Sequence, residues 1–191
     1  MNLQGTQTEK NLLLAYTGES LNRNLYTFFA DQAQKEGYEQ IAAVFLETAD
    51  HEQEHARQEL NFIQTSDIEL PGAIYPVKGI GTTLSNLETA VSGEHYEQST
   101  MYPEFAETAA EEGFTEVAQM LRHIGTVEAL HEKRYLALLN NVREGKVFKK
   151  DRPVQWKCRI CGYVQEDREA PHSCPICAYD RTYFEIWAVN Y

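Results

Sequence analysis

Residues 50–60, "DHEQEHARQEL", decide how the rest of the chain is read. His51-Glu52-Gln53-Glu54-His55 fits H-E-x-x-H, in which two histidines one helical turn apart hold the zinc of a metalloprotease. The same run contains Glu52-x-x-His55, the carboxylate and imidazole pair from which helix bundles build dinuclear metal sites. The faces of the other helices separate the two readings.

In the helix predicted around this stretch, positions 41, 45, 48, 52 and 55 recur at helical spacing and read Ile, Phe, Thr, Glu, His. Positions 117, 121, 124, 128, 131, 135 and 138 read Val, Leu, Ile, Glu, His, Tyr, Leu. An acid and an imidazole thus interrupt two otherwise apolar stripes. A first helix carries Ala15, Glu19, Asn22, Tyr26 and Phe29 on its stripe, and a third carries Leu87, Val91, Glu94, Glu97 and Met101. Glu19 to Glu52 is 33 residues and Glu94 to Glu128 is 34. The chain therefore reads as two copies of a hairpin, each a helix with an inward Glu followed by a helix with Glu-x-x-His. Where the first copy has His51 the second has Val127. Only Glu-x-x-His repeats, so the zinc-protease reading loses its support. His51 is expected off the repeated face, as a solvated or structural histidine. Four buried acids on four helices are hard to ascribe to coincidence, because each unpaired one costs several kcal/mol.

The boundaries follow from caps and breakers. Thr6-Gln7-Thr8-Glu9 has the form of a capping box, and its helix runs to Gly37. The second helix is expected from about Tyr38 to Gln64. "TSDIELPGAIYPVKGIGTT" (65–83) is too rich in Pro and Gly to continue it and suits the long crossover of a ferritin-like bundle. The third helix is predicted to start within Thr82–Ser85, with Ser85-x-x-Glu88 again box-like, and to reach about Glu112. Pro103 should kink it by removing the bond to residue 99. Gly113 breaks the chain, and a fourth helix runs to Glu144. Residues 1–145 thus read as a mainly α, ferritin-like four-helix bundle, and residues 146–191, where Pro, Cys and aromatics replace helix formers, as a second small domain.

A net charge of −12 argues against a nucleic-acid partner and leaves open that the carboxylates hold cations. No segment reads as a signal peptide or as the roughly 20 apolar residues of a membrane span. All four cysteines follow residue 157, as Cys158-x-x-Cys161 and Cys174-x-x-Cys177. Two such knuckles indicate a four-thiolate metal site and a reducing, cytoplasmic setting rather than disulfides. Zinc and iron both fit. Gly162 supplies a left-handed turn beside the thiolates, and Trp156, Tyr163, Phe184 and Trp187 are the expected core over them. In the bundle, two ferrous ions (+4) against Glu19, Glu52, Glu94, Glu97 and Glu128 (−5), with neutral His55 and His131, would be near neutrality. The metal-free bundle should be much less stable than the loaded one.

The bundle pattern, Cys-x-x-Cys-Gly-Tyr, Cys-Pro-x-Cys and their order along one chain resemble rubrerythrin over essentially all residues. The resemblance implies an oxo- or hydroxo-bridged di-iron site in the bundle and a rubredoxin-like Fe(Cys)4 centre in the tail. It further implies Glu52 and Glu128 as bridging carboxylates, Glu19 and Glu94 as terminal ones, and His131 on the second iron. Glu97 would exchange with His55 on reduction, and the contrast between Asn22 and Glu97 fits that toggle. Tyr26 and Tyr102 would line the pocket, Tyr102 or a pocket carboxylic acid giving protons. The implied function is reduction of hydrogen peroxide to water in oxidative-stress defence, with electrons from NAD(P)H reaching the tail through a reductase or rubredoxin. A head-to-tail homodimer is expected. The rivals are an iron-storage ferroxidase, which has no use for the tail, and a zinc-binding scaffold.

Overall fold

The computed structural model describes residues 2–63 and 78–189. The first hairpin is α1 (Gln7–Lys35) and α2 (Glu39–Leu60). Thr6 caps α1 by accepting from the Glu9 N–H, and the Glu9 carboxylate accepts from the Gly5 N–H. This is a capping box displaced by one residue at its return bond. The chain turns at Gly37, whose φ of +80° is the left-handed conformation that ends helices. α2 ends at Leu60 rather than near Gln64. Of the predicted crossover, residues 65–77 lie outside the described residues.

The second hairpin corrects the sequence reading. In place of one α-helix kinked at Pro103 there are α3 (Thr83–Tyr96), a π-helical turn (Glu97–Met101) and α4 (Tyr102–Glu111), followed by α5 (Thr115–Arg143). Thr82, not Ser85, is the N-cap of α3. The Tyr102 N–H reaches five residues back to the Glu97 carbonyl. Pro103 falls in the first turn of α4, where a missing N–H costs little. A π turn is what one extra residue makes of an α-helix. The extra residue is visible in the repeat: the copies are offset by 75 at Glu19/Glu94 and Asn22/Glu97, and by 76 at Tyr26/Tyr102, Glu52/Glu128 and His55/His131. The 33-against-34 spacing is this insertion.

The hairpins also cap each other. Glu36, at the end of α1, accepts from the Thr83 N–H that opens α3. Glu112, its match at the end of α4, accepts from the Gln7 and Thr8 N–H groups that open α1. A carboxylate at a helix N-terminus satisfies orphan donors and faces the positive end of the dipole.

Two apolar clusters fill the bundle. One gathers Tyr26, Phe29, Ile41, Phe45, Leu87 and Tyr135; the other gathers Leu12, Ala15, Tyr102, Leu121 and Ile124. Glu19, Glu52, Glu94 and Glu128, all fully buried, form the polar layer between them.

The tail is an antiparallel sheet of order β2-β1-β3, with β1 (Lys149–Cys158), β2 (Val164–Glu169) and β3 (Phe184–Ile186). Trp156, Cys158, Ala170, Cys174 and Phe184 make its core, with Phe148, Val154 and Tyr163 against them. Trp187, expected in that core, is instead half-buried and outside the cluster; its backbone N–H pairs with Gln155. The tail rests on the α1–α2 turn. Phe148 stacks on Tyr38 at 6.2 Å between ring centroids, and a Cβ on Gly37 would lie 2.7 Å from Thr182 Cγ2. No helix among the described residues is long and apolar enough to cross a membrane.

Candidate metal centres

The α-helical repeat places Glu52 and His55 on one turn of α2, and Glu128 and His131 on one turn of α5. Glu19 from α1 and Glu94 from α3 close the layer. Ligand atoms of Glu19, Glu52, His55 and Glu128 lie within 4.8 Å of one another, and so do those of Glu52, Glu94, Glu128 and His131. The two groups share Glu52 and Glu128. His55 Nδ1 is 2.9 Å from Glu128 Oε1 and 3.4 Å from Glu52 Oε2. His131 Nδ1 is 2.7 Å from Glu128 Oε2 and 3.3 Å from Glu52 Oε1. Each shared carboxylate therefore turns one oxygen to each imidazole.

The donors fit a pair of cations. Glu19 Oε2, Glu94 Oε2, both oxygens of Glu52 and Glu128, and Nδ1 of both histidines are buried without an aligned hydrogen-bond partner. Buried polar atoms are rarely left so, and when they converge the usual partner is a metal. The electrostatics agree. Burial and the neighbouring carboxylates hold Glu19, Glu94 and Glu97 well above the ordinary carboxylate range. Burial opposes charge on the imidazoles, yet Glu128 and Glu52 outweigh it, pushing His55 up to about 10 and His131 to about 12. A cluster that gathers protons this strongly is one that divalent cations would relieve.

Glu97 lies outside both groups. It opens the π turn, is buried, and accepts from the Asn22 amide at 2.9 Å. Tyr26 donates to Glu94 Oε1 at 2.5 Å, and Tyr102 donates to Glu19. The two hydroxyls thus cross between hairpins. Gly125 makes room for Tyr102, since a Cβ there would meet the Tyr102 Cβ at 3.1 Å.

His51 is the solvated, structural histidine expected, with a partner the sequence did not show, and Glu59 was missed in sequence. His51 is exposed, but its Nδ1 is 3.1 Å from His131 Nε2 and the rings stack. It faces the site's edge, holding the ring nitrogen of His131 that points away from the carboxylates, as outer partners of metal-binding histidines do. Glu59 is fully buried, with its Oε1 3.0 Å from the Tyr102 hydroxyl. Its signal was the stripe itself: 52, 55 and 59 continue one helical face.

In the tail, the Sγ atoms of Cys158 and Cys177 are 3.7 Å apart and those of Cys161 and Cys174 are 3.5 Å apart, and all four cysteines are free. A tetrahedron with metal–sulfur bonds of about 2.3 Å has edges of about 3.8 Å, whereas a disulfide needs about 2.05 Å. Gly162 (φ +79°) and Ala178 (φ +63°) follow the second cysteine of each knuckle in the left-handed conformation.

Four helices, two Glu-x-x-His turns and two carboxylates shared between two cation positions define a ferritin-like di-iron carboxylate protein, here joined to a four-thiolate rubredoxin-like module. Comparison narrows the class. The rubrerythrin family model matches residues 10–139, and that of the rubrerythrin rubredoxin-like domain matches residues 156–185. A rubrerythrin of Porphyromonas gingivalis is 50% identical over 189 residues, covering 99% of this chain and 94% of that one. A rubrerythrin of Nitratidesulfovibrio vulgaris is 44% identical, covering 99% and 98%. The structure of a nigerythrin in its mixed-valence state superimposes with a TM-score of 0.62 at 31% identity, covering 97% of this chain and 91% of that one. The chain belongs to the rubrerythrin family, with a di-iron centre in the bundle and a four-cysteine iron centre in the tail. The family is in general one of peroxidase-type oxidoreductases, consistent with iron-based oxidative-stress defence.

Proposed function

We propose that this chain reduces hydrogen peroxide to water in the bundle, which the tail recharges with electrons. The observation that carries the reading is the pair of ligand groups sharing Glu52 and Glu128, with His55 turned inward and Glu97 held aside by Asn22. Bound there, two irons would supply one electron each and Lewis acidity for O–O cleavage. Glu52 and Glu128, common to both ligand groups, would hold both irons, Glu19 and Glu94 would hold one each, and His131 would be a fixed nitrogen donor. Glu97 and His55 would be the exchangeable pair, the Asn22 amide holding the Glu97 carboxylate aside while His55 faces the shared carboxylates. The alternative of iron transit for storage has no place for such a store. His55 also lines an open cleft of about 410 Å³, with Gln58, Met120, His123 and Ile124 on its walls, wide enough for a molecule as small as peroxide. Tyr26 and Tyr102 hold Glu94 and Glu19 in orientation.

Residues 1–145 form the reducing unit and 146–191 the electron relay. The tail rests near Gly37 and Tyr38, and Glu52 is some four helical turns along α2, about 20 Å away. That distance favours electron delivery from the tail of a second copy, hence a head-to-tail homodimer. The donor to the tail is a rubredoxin or an NAD(P)H-dependent reductase, and the compartment is the cytoplasm.

Anaerobic stopped-flow oxidation of the reduced protein by peroxide, followed at the thiolate-to-iron bands of the tail, tests the reading. The bands should reappear within the catalytic cycle. Glu97→Ala should retain iron and slow the reaction at least tenfold, and Cys161→Ser should permit one reaction but no cycling. NADH-driven cycling in Cys161→Ser would refute the relay.

A further inference from the structure

We propose that Glu59 is the proton store for peroxide reduction, supplying Glu19 through the Tyr102 hydroxyl; the inference rests on the peroxidase reading above. The geometry is a line of three groups. The Tyr102 oxygen contacts Glu19 Oε1 on one side and stands 3.0 Å from Glu59 Oε1 on the other. A phenol has one hydrogen, so it donates to only one of the two carboxyls. The other bond must be donated towards the phenol by a protonated carboxyl. The Tyr102 hydroxyl makes its shorter contact with Glu19, one of the converging cation-binding groups, whereas Glu59 lies outside that group, fully buried and with its second oxygen unpartnered among the described residues. The proton therefore resides on Glu59, and the chain runs in one direction: Glu59 carboxylic acid to Tyr102 oxygen, Tyr102 hydroxyl to Glu19.

The surroundings of Glu59 support this. It is fully buried, its Oε2 has no hydrogen-bond partner among the described residues, and it is not among the clustered ligand atoms. The titratable groups facing it are His55 and Glu52 of α2, Glu128 of α5 and Tyr102 of α4. Burial pushes its carboxyl up to about 8, against the opposing pull of Tyr102 and His55. The internal repeat supplies a contrast. Tyr26, the match of Tyr102, donates to Glu94, but the position matching Glu59 is Tyr135, whose ring packs on Tyr26. Tyr102 thus has a carboxylic acid of the opposite hairpin behind it, and Tyr26 has a phenol of the opposite hairpin.

The proton balance is closed. Peroxide takes two protons and two electrons to give two waters, and the electrons come from the iron pair. For one proton, the O–H bond of Glu59 breaks and the Tyr102 oxygen takes that hydrogen. The former Tyr102 hydrogen passes to Glu19 and on to the departing oxygen. Solvent supplies the second proton and afterwards reprotonates Glu59. Glu59 acts through Tyr102 and is a positioning residue for the proton, not a ligand.

The experiment uses the full-length, iron-loaded protein. Glu59→Gln keeps the shape and a donor towards Tyr102 but has no transferable proton. It should retain the iron content of the wild type, slow single-turnover oxidation by peroxide about tenfold or more, and change the solvent isotope effect of that step. Infrared difference spectra in H2O and D2O should show a protonated-carboxylic-acid carbonyl band in the wild type that vanishes in Glu59→Gln. Tyr102→Phe should match the slowing while keeping the band, shifted by the lost hydrogen bond. A Glu59→Gln protein with wild-type rate and isotope effect, or with an unaltered infrared band, overturns the relay and leaves the peroxidase reading intact. A wild-type protein inert to peroxide sinks both.

Discussion

The two hairpins of the bundle are copies that have diverged at the positions where chemistry needs a difference. Glu19/Glu94, Glu52/Glu128 and His55/His131 match, as do the crossing tyrosines and the reciprocal caps Glu36/Glu112. Asn22/Glu97, His51/Val127 and Glu59/Tyr135 do not. Symmetry alone would give two equivalent cation positions, each with one terminal carboxylate, one imidazole and two shared carboxylates. The departures add a spare carboxylate, an outer partner for one imidazole and a buried acid. The π turn belongs with them: it opens at Glu97 and takes up the extra residue before Tyr102, which begins the offset of 76 shared by the rest of the copy. A binding site can be symmetric; under the proposed function, a site that cycles needs somewhere to put a displaced ligand and a proton.

The largest effect should come from breaking what the halves share. Glu128→Ala removes an oxygen from both ligand groups, so both bundle irons should be lost while the tail keeps its own, as metal analysis would register. Peroxide turnover should fall by at least a hundredfold. Thermal unfolding should then respond little to added ferrous iron. In the wild type, iron at a thousandfold excess over its Kd adds about 4 kcal/mol. Retention of two bundle irons by Glu128→Ala would show that the shared carboxylates do not bridge.

A smaller effect is expected where only one half has a partner. His51→Ala frees His131 Nε2 and should weaken iron binding in the bundle by about tenfold, whereas Val127→Ala should leave the affinity unchanged. Equal losses from both would mean that His51 acts by packing alone.

The smallest effect tests the caps. Glu36→Ala and Glu112→Ala should each cost about 1 kcal/mol. Burial opposes both carboxylates, but the Gln32 and Thr83 bonds to Glu36 and the Thr8 and Gln7 bonds to Glu112 hold them below the usual 4.5. A depressed folded pKa stabilises above the unfolded value and is lost as pH falls through the folded one. Acid titration of stability should therefore be shallower below about pH 4.5 in the double variant than in the wild type. An identical profile would mean that solvent replaces the caps.

Much of this was legible before any coordinates. Four stripes with a glutamate each, the repeated Glu-x-x-His and the paired cysteine knuckles specify four helices around a common layer and a separate metal module, because side-chain periodicity fixes which face is buried. The convergence of Glu19, Glu52, His55, Glu94, Glu128 and His131 could be written from the stripes for the same reason, whereas Glu97, also on its stripe, lies outside both groups. The π turn was present only as a one-residue difference between two spacings, and a breaking proline stood nearer to hand as its explanation. His51 fell off the repeated face, and whether an off-face residue reaches a neighbour depends on where the neighbouring helix lies. Glu59 fell on the face, beyond the end of the repeated motif.

By itself the sequence determined helix faces, the internal duplication and the donor chemistry, all set by local spacing along one chain. The tertiary structure alone decided which hairpin caps which, that Tyr26 and Tyr102 cross between halves, that Glu97 rests on Asn22, and that Glu59 stands behind Tyr102. Those pairings join residues tens of positions apart, and their distances depend on how helices pack, which no single helix's periodicity encodes.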